Sequence, residues 1–99
     1  MERNLPLSVT ICTLNEEINI AACLDAITKQ KPFEVIVVDG DSDDKTREIA
    51  QSLGAFVINA GRKGLAHQRK VGVDKATQRY TALIDADHRP EPGCFATLI

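Results

Sequence analysis

Asp85 and Asp87 close the apolar run Leu83-Ile84 as a pair of carboxylates two positions apart. If the extended chain continues through them, both leave the strand on one side, where they repel each other. A hard divalent cation with oxygen ligands relieves that repulsion. Mg²⁺ typically takes one or two carboxylates and fills its remaining positions with phosphate oxygens and water, so the pair points to a metal shared with an anionic ligand. Two more polar clusters follow apolar runs, Thr13-Leu14-Asn15-Glu16 and Asp39-Gly40-Asp41-Ser42-Asp43-Asp44. A basic group, Arg62, Lys63, Arg69 and Lys70, lies between the second cluster and the last. Acidic and basic clusters therefore alternate along the chain.

These residues need a frame to bring them together. Ser8–Thr13 reads as a strand, with β-branched Val9 and Ile11. From Glu16 to Lys29, residues Ile20, Cys23, Leu24 and Ile27 repeat at helical spacing, and Thr13 with Glu16 has the spacing of a capping box. Pro32 ends that region, and Val35–Val38 is a continuous β-branched run, as in a strand covered on both faces. Asp43 and Asp44 suit the positive N-terminus of a second helix, Ile49, Ala50 and Leu53 form its apolar side, and Gly54 sits at its C′ position. Ala55–Ile58 is the third strand and Tyr80–Ile84 the fourth. Between them Leu65–Ala76 is a helix that Gly72 weakens by about 1 kcal/mol relative to Ala. Pro90 and Pro92 break the chain before Gly93-Cys94-Phe95 begins another segment.

The alternation βαβαβαβ predicts an α/β, Rossmann-like parallel sheet with right-handed crossovers. In such a sheet the ligand crevice lies outside the carboxyl ends of the strands, where strand order reverses. All three polar clusters follow strand ends.

At 99 residues the chain has room for one domain, and its 43% hydrophobic and 26% charged composition fits a globular core. A net charge of −2 offers no basic field for a nucleic-acid backbone. No apolar run approaches the roughly 20 residues that span a bilayer, and Met1–Ser8 lacks the layout of a secretory signal. Cys12, Cys23 and Cys94 are odd in number and form no C-x-x-C, which points to packing roles and a reducing, cytoplasmic setting.

Three rival readings are weaker. Residues 39–43 begin like a calcium loop, but Asp44 stands where the turn glycine belongs and Ala50 where the bidentate glutamate belongs. A receiver-like phospho-acceptor domain wants an acidic pair after its first strand, where this chain has Thr13-Leu14-Asn15. A dinucleotide fold wants G-x-G-x-x-G there, which is also missing.

The ordered set Ser8-Val9-Thr10-Ile11-Cys12-Thr13-Leu14-Asn15-Glu16-Glu17, then Val37-Val38-Asp39-Gly40-Asp41-Ser42, then Leu83-Ile84-Asp85-Ala86-Asp87, resembles the successive signatures of family 2 glycosyltransferases of the GT-A fold. The segment from Glu48 to Ala55 and the Gly64–Gly72 helix fit as well. The resemblance implies that residues 1–99 are the N-terminal, donor-binding part of a GT-A domain. It further implies inverting transfer of a sugar from a nucleotide-diphosphate donor to an acceptor hydroxyl, assisted by Mg²⁺ or Mn²⁺. By the same resemblance Thr13, Asn15 and Glu16 line the nucleotide pocket, Asp39 accepts a hydrogen bond from the base, and Arg69 approaches the donor; by charge alone, Lys63 is expected to assist at the leaving diphosphate. Asp85 and Asp87 match the metal and nucleotide motif, Asp87 being the expected direct ligand.

Several positions depart from the family. Leu14 replaces a frequent aromatic, Lys70 replaces the asparagine after the third-helix arginine, and Asp41 makes the second loop unusually acidic. His67 and His88 receive no role, and a third metal ligand is expected from sequence beyond Ile99. The acceptor strands and the general base are expected there too, so no catalytic base is assigned within the chain and the piece alone is expected to be inactive. The alternative is a non-catalytic nucleotide-binding or interaction module. Uncovered surfaces of a half-sheet predict self-association. The complete protein is expected in the cytoplasm or at the inner face of a membrane.

Overall fold

A computed structural model describes residues 4–98, so Met1–Arg3 of the leader expectation, and Ile99, lie outside it. The elements run β1 (Leu5–Thr13), α1 (Ile20–Thr28), β2 (Pro32–Asp39), α2 (Thr46–Ser52), β3 (Phe56–Asn59), α3 (Leu65–Lys75), β4 (Tyr80–Asp85) and α4 (Cys94–Leu98). The strands form one sheet in the order β3-β2-β1-β4, every neighbouring pair parallel. That order matches the first four strands of the Rossmann arrangement and differs from the 2-1-3-4 order of receiver-like folds. The phospho-acceptor reading falls on this point.

One face of the sheet carries the core. Leu7, Val9, Ile11 and Val37 pack on Ile20, Cys23, Leu24 and Ile27 of α1, with Ala50 from α2 and Phe95 from α4. Each such aliphatic side chain contributes about 1.5–3 kcal/mol when fully buried. On the other face α3 is largely polar and buries only Gln68 and Gly72. Gly72 lies so close to the sheet that an added Cβ would sit 3.0 Å from Thr10 Cβ and 3.2 Å from Val38 Cγ2. Its missing side chain is what lets α3 settle on β1 and β2.

Several boundaries differ from the sequence reading, β1 for instance starting at Leu5 rather than Ser8, and two of the differences have clear physical reasons. β2 begins at Pro32, which pairs with Leu5, because a residue without an N–H is tolerated as the first of a strand. α1 begins at Ile20 rather than Glu16, and no capping box forms. The Glu16 N–H donates to Thr46 Oγ1 at 2.9 Å and the Glu17 N–H to Asp44 Oδ2 at 3.2 Å, so the second loop and the start of α2 take donors that would have started the helix. The end of α2 follows expectation. Ala55 N–H donates to Ala50 O and Gly54 N–H to Gln51 O, a Schellman closure with Gly54 at φ 91°.

At the amino end of the sheet, the Glu34 carboxylate accepts from the Ser8 hydroxyl and from both the backbone N–H and the hydroxyl of Thr77. This clasp fixes where α3 hands over to β4. The three cysteines are free; Cys23 is buried, and burial pushes its thiol up to about 11. No helix among the described residues is long and apolar enough to cross a membrane.

Candidate functional site

Strand order reverses between β1 and β4. β1 leads to α1 on the core face, whereas β4 is reached through α3 on the opposite face, so the two exits diverge and leave a crevice. The register sets its walls at one level: Thr13 pairs with Asp39, and Cys12 pairs with Asp85. Because strand side chains alternate, Thr13 and Asp39 lie on the α1 face and Cys12 and Asp85 on the α3 face. The sequence-predicted residues therefore share one rim but flank its crevice from two sides.

On the first side, Asp39 is a hub. Its Oδ1 accepts from the hydroxyls of Thr13 and Ser42, each at 2.6 Å, and its Oδ2 accepts from Ser42 N–H and Arg47 Nη1, each at 2.7 Å. Burial raises its pKa, but the bonds from Ser42, Thr13 and Arg47 outweigh that and hold the carboxylate below its ordinary value. Its exposure is 0%, and all four lone-pair positions are used by donors of the chain itself. Asn15, at φ 54°, is drawn into the same construction: its N–H donates to Ser42 Oγ at 2.8 Å and its Oδ1 accepts from Asp43 N–H at 2.9 Å. Glu16 is half-buried and its carboxylate accepts from Asn19 Nδ2 at 3.1 Å. Much of the acidic second loop thus binds loop backbone.

Two residues essential to this wall carry no signal in the sequence. Arg47 holds Asp39 from α2. Gln68, on α3, donates from Nε2 to Thr13 O at 2.9 Å and Val38 O at 3.0 Å while its Oε1 accepts from Gly64 N–H at 3.2 Å. It bolts the start of α3 to the ends of β1 and β2. Gly40 permits this closure, since a Cβ there would lie 3.0 Å from both Gln68 Oε1 and Lys63 Cα. The Lys63 backbone is thereby set against Gly40 at the end of β2.

On the second side, Asp85, Ala86, Asp87 and His88 form a turn closed by a bond from His88 N–H to Asp85 O at 3.0 Å. Ala86 is buried, whereas Asp85, Asp87 and His88 are exposed and each offers a ligand atom within 4.8 Å of the others. The expected acidic pair is present, and the adjacent histidine offers a third ligand atom within reach of both carboxylates. Its position one residue past the pair was the available signal. His67 instead bonds its ring to the Ala60 carbonyl at 3.1 Å. Arg69 is exposed and, with Asp85, acts electrostatically on the half-buried Cys12 thiol between them, which burial raises. Lys70 pairs with Asp74 one helical turn on, and Leu14 lies exposed beside the crevice.

A parallel sheet of this order, with an acidic turn at its switch point, defines a Rossmann-like α/β domain. Residues 8–99 match the sequence model of glycosyl transferase family 2, and the chain belongs to that family. It is 34% identical over 101 residues to glycosyltransferase AglE of Haloferax volcanii, covering 91% of this chain and 33% of that protein. It is 36% identical over 85 residues to the low-salt glycan biosynthesis hexosyltransferase Agl6 of the same organism, covering 82% and 21%. Among solved structures, a mannosyltransferase from Pyrobaculum calidifontis in complex with GDP-Man and Mn²⁺ superposes with a TM-score of 0.84 at 26% identity, over 95% of this chain and 31% of that one. Glucosyl-3-phosphoglycerate synthase from Mycobacterium tuberculosis, in complex with Mn²⁺, UDP and glucosyl-3-phosphoglycerate, gives 0.79 at 27%, over 88% and 36%. The fold is that of GT-A glycosyltransferases. The chain spans a third or less of the curated relatives named here.

Proposed function

We propose that this chain forms the donor side of an inverting, metal-dependent glycosyltransferase, holding a nucleotide-diphosphate sugar across the crevice between β1 and β4. The observation that carries the reading is the convergence of the Thr13–Asp39 wall and the Asp85, Asp87, His88 cluster on a single strand-order reversal. Two carboxylates and an imidazole within 4.8 Å fit a divalent cation. Carboxylates suit Mg²⁺ and Mn²⁺ alike, and the imidazole shifts the preference toward the transition ion. Held there, the cation would offset negative charge growing on the departing nucleoside diphosphate.

The chain's own residues do the remaining work on the donor. Asp39 fixes Thr13 and the second loop as a rigid floor, so its contribution to the base is made through the surface it shapes. Asn15 and Glu16 present the loop edge beside that floor. Arg69 and Lys63 supply positive charge to the phosphates from the α3 side. The acceptor, with its hydroxyl, and the general base that deprotonates it come from outside these residues.

The test is calorimetric titration of the chain with uridine and guanosine diphosphates, with and without Mn²⁺. Binding of either, tightened by Mn²⁺ and weakened about tenfold or more by Arg69→Ala, is the expected result. A folded sample that binds neither nucleotide under either condition contradicts the proposal. The acceptor and the transferred sugar then follow from assays on the complete protein.

A further inference from the structure

Beyond the candidate ligands themselves, something must hold the Asp85–His88 turn in shape, because its two acids and histidine are exposed and its internal closure among the described residues is the bond from His88 N–H to Asp85 O. The side chain that does so follows immediately. Arg89 Nη1 donates to Ala86 O at 2.9 Å and to His88 O at 2.8 Å, the carbonyls on either side of Asp87. Its Nη2 reaches across to α1 and meets both the backbone oxygen and the side-chain Oδ1 of Asn19, each at 3.3 Å. Asn19 in turn donates from Nδ2 to Glu16 Oε2 at 3.1 Å. One guanidinium therefore spans the turn and the loop that leads from β1.

We propose that Arg89 is a positioning residue for the cation site, fixing the backbone on both sides of Asp87 and tying it through Asn19 to Glu16. This deepens the function proposed above and rests on it. The fork geometry matters. A guanidinium offers five donors in a fixed plane and can bridge two carbonyls with one nitrogen while reaching a third residue with the other; an ammonium is a single point that cannot span them. With its donors turned toward carbonyl oxygens, Arg89 also places a positive charge behind two carboxylates that otherwise repel, leaving their oxygens facing outward. The buried Cys23 thiol feels Arg89, Asp87 and Glu16 together, which fits their closeness around the start of α1. Groups that orient metal ligands from behind commonly change metal affinity 10- to 100-fold when removed.

The test uses the full chain and Mn²⁺, read by electron paramagnetic resonance with and without uridine or guanosine diphosphate, whichever binds. Arg89→Ala is expected to weaken Mn²⁺ binding about tenfold or more and to change the line shape of bound Mn²⁺, with a smaller change in metal-free nucleotide affinity. Arg89→Lys is expected to restore part of the affinity only. Asn19→Ala, which keeps the turn clasp and removes the side-chain end of the bridge, is expected to cost a few-fold and keeps the test decisive should Arg89→Ala fail to fold. Wild-type Mn²⁺ affinity and line shape in folded Arg89→Ala overturn the inference and leave the proposed function standing. Absence of Mn²⁺ binding by the wild-type chain with nucleotide present overturns the cation site itself.

Discussion

Four donors on one buried carboxylate make Asp39 the residue whose loss should be felt most. Asp39→Ala leaves Arg47 without its close partner and strands the Thr13 and Ser42 hydroxyls, so it is expected to cost about 3–5 kcal/mol, measured by urea denaturation. A change below about 1 kcal/mol would contradict the hub. The acid limb of stability follows from the same bonds. Because the folded pKa of Asp39 is depressed, its contribution is complete above the unfolded carboxylate value near 4 and is lost as pH falls through the lower folded value. Wild-type stability should therefore decline below about pH 4 more steeply than that of an Asp39→Asn variant. At this scale, the sequence shows which residue types end each strand, so Thr13, Asp39, Asp85 and Asp87 are legible. It does not show their partners. Gln68 lies 55 positions from Thr13 and Arg89 lies 70 from Asn19, distances over which residue type carries no pairing signal.

Among the elements, α3 has the clearest consequence. Gly72 costs helix propensity, so by local rules Gly72→Ala should stabilise by about 1 kcal/mol. The structure reverses that sign. The new methyl would meet Thr10 at 3.0 Å, on the central strand, where the neighbour cannot move aside, and overpacking of this kind costs about 1–3 kcal/mol. A net loss of about 1 kcal/mol is expected by chemical denaturation, and a stabilised variant would contradict the close approach of α3. The apolar stripe of α1 and the β-branched runs of β1 and β2 made those elements readable, whereas α3, largely polar, was readable only from its polar and small-residue content. The entry to α1 was not readable, since the donors of Glu16 and Glu17 are claimed by Thr46 at the start of α2 and by Asp44 in the loop before it. The Schellman end of α2 was, because Gly54 signals it alone.

For the molecule as a whole, alternation of strand and helix implies parallel strands but not their order, which depends on which way the chain turns after β2. The order found leaves β4 at an edge, with Tyr80 and Leu83 exposed. We propose that two copies pair antiparallel along this edge. Centred on Ala82, such pairing sets Arg79 of one copy directly opposite Asp85 of the other. Light scattering should show mass rising with concentration, and Arg79→Glu should suppress it. A monodisperse monomer at every concentration contradicts this pairing.

The central claim is that both sides of the strand-order reversal close on one cation-bridged diphosphate. The most direct measurement is paramagnetic broadening by Mn²⁺ of backbone amide resonances, recorded with uridine or guanosine diphosphate present. Broadening confined to the carboxyl ends of β1, β2 and β4 and the start of α3 is the predicted pattern. Broadening centred elsewhere, or equal with and without nucleotide, would contradict the account.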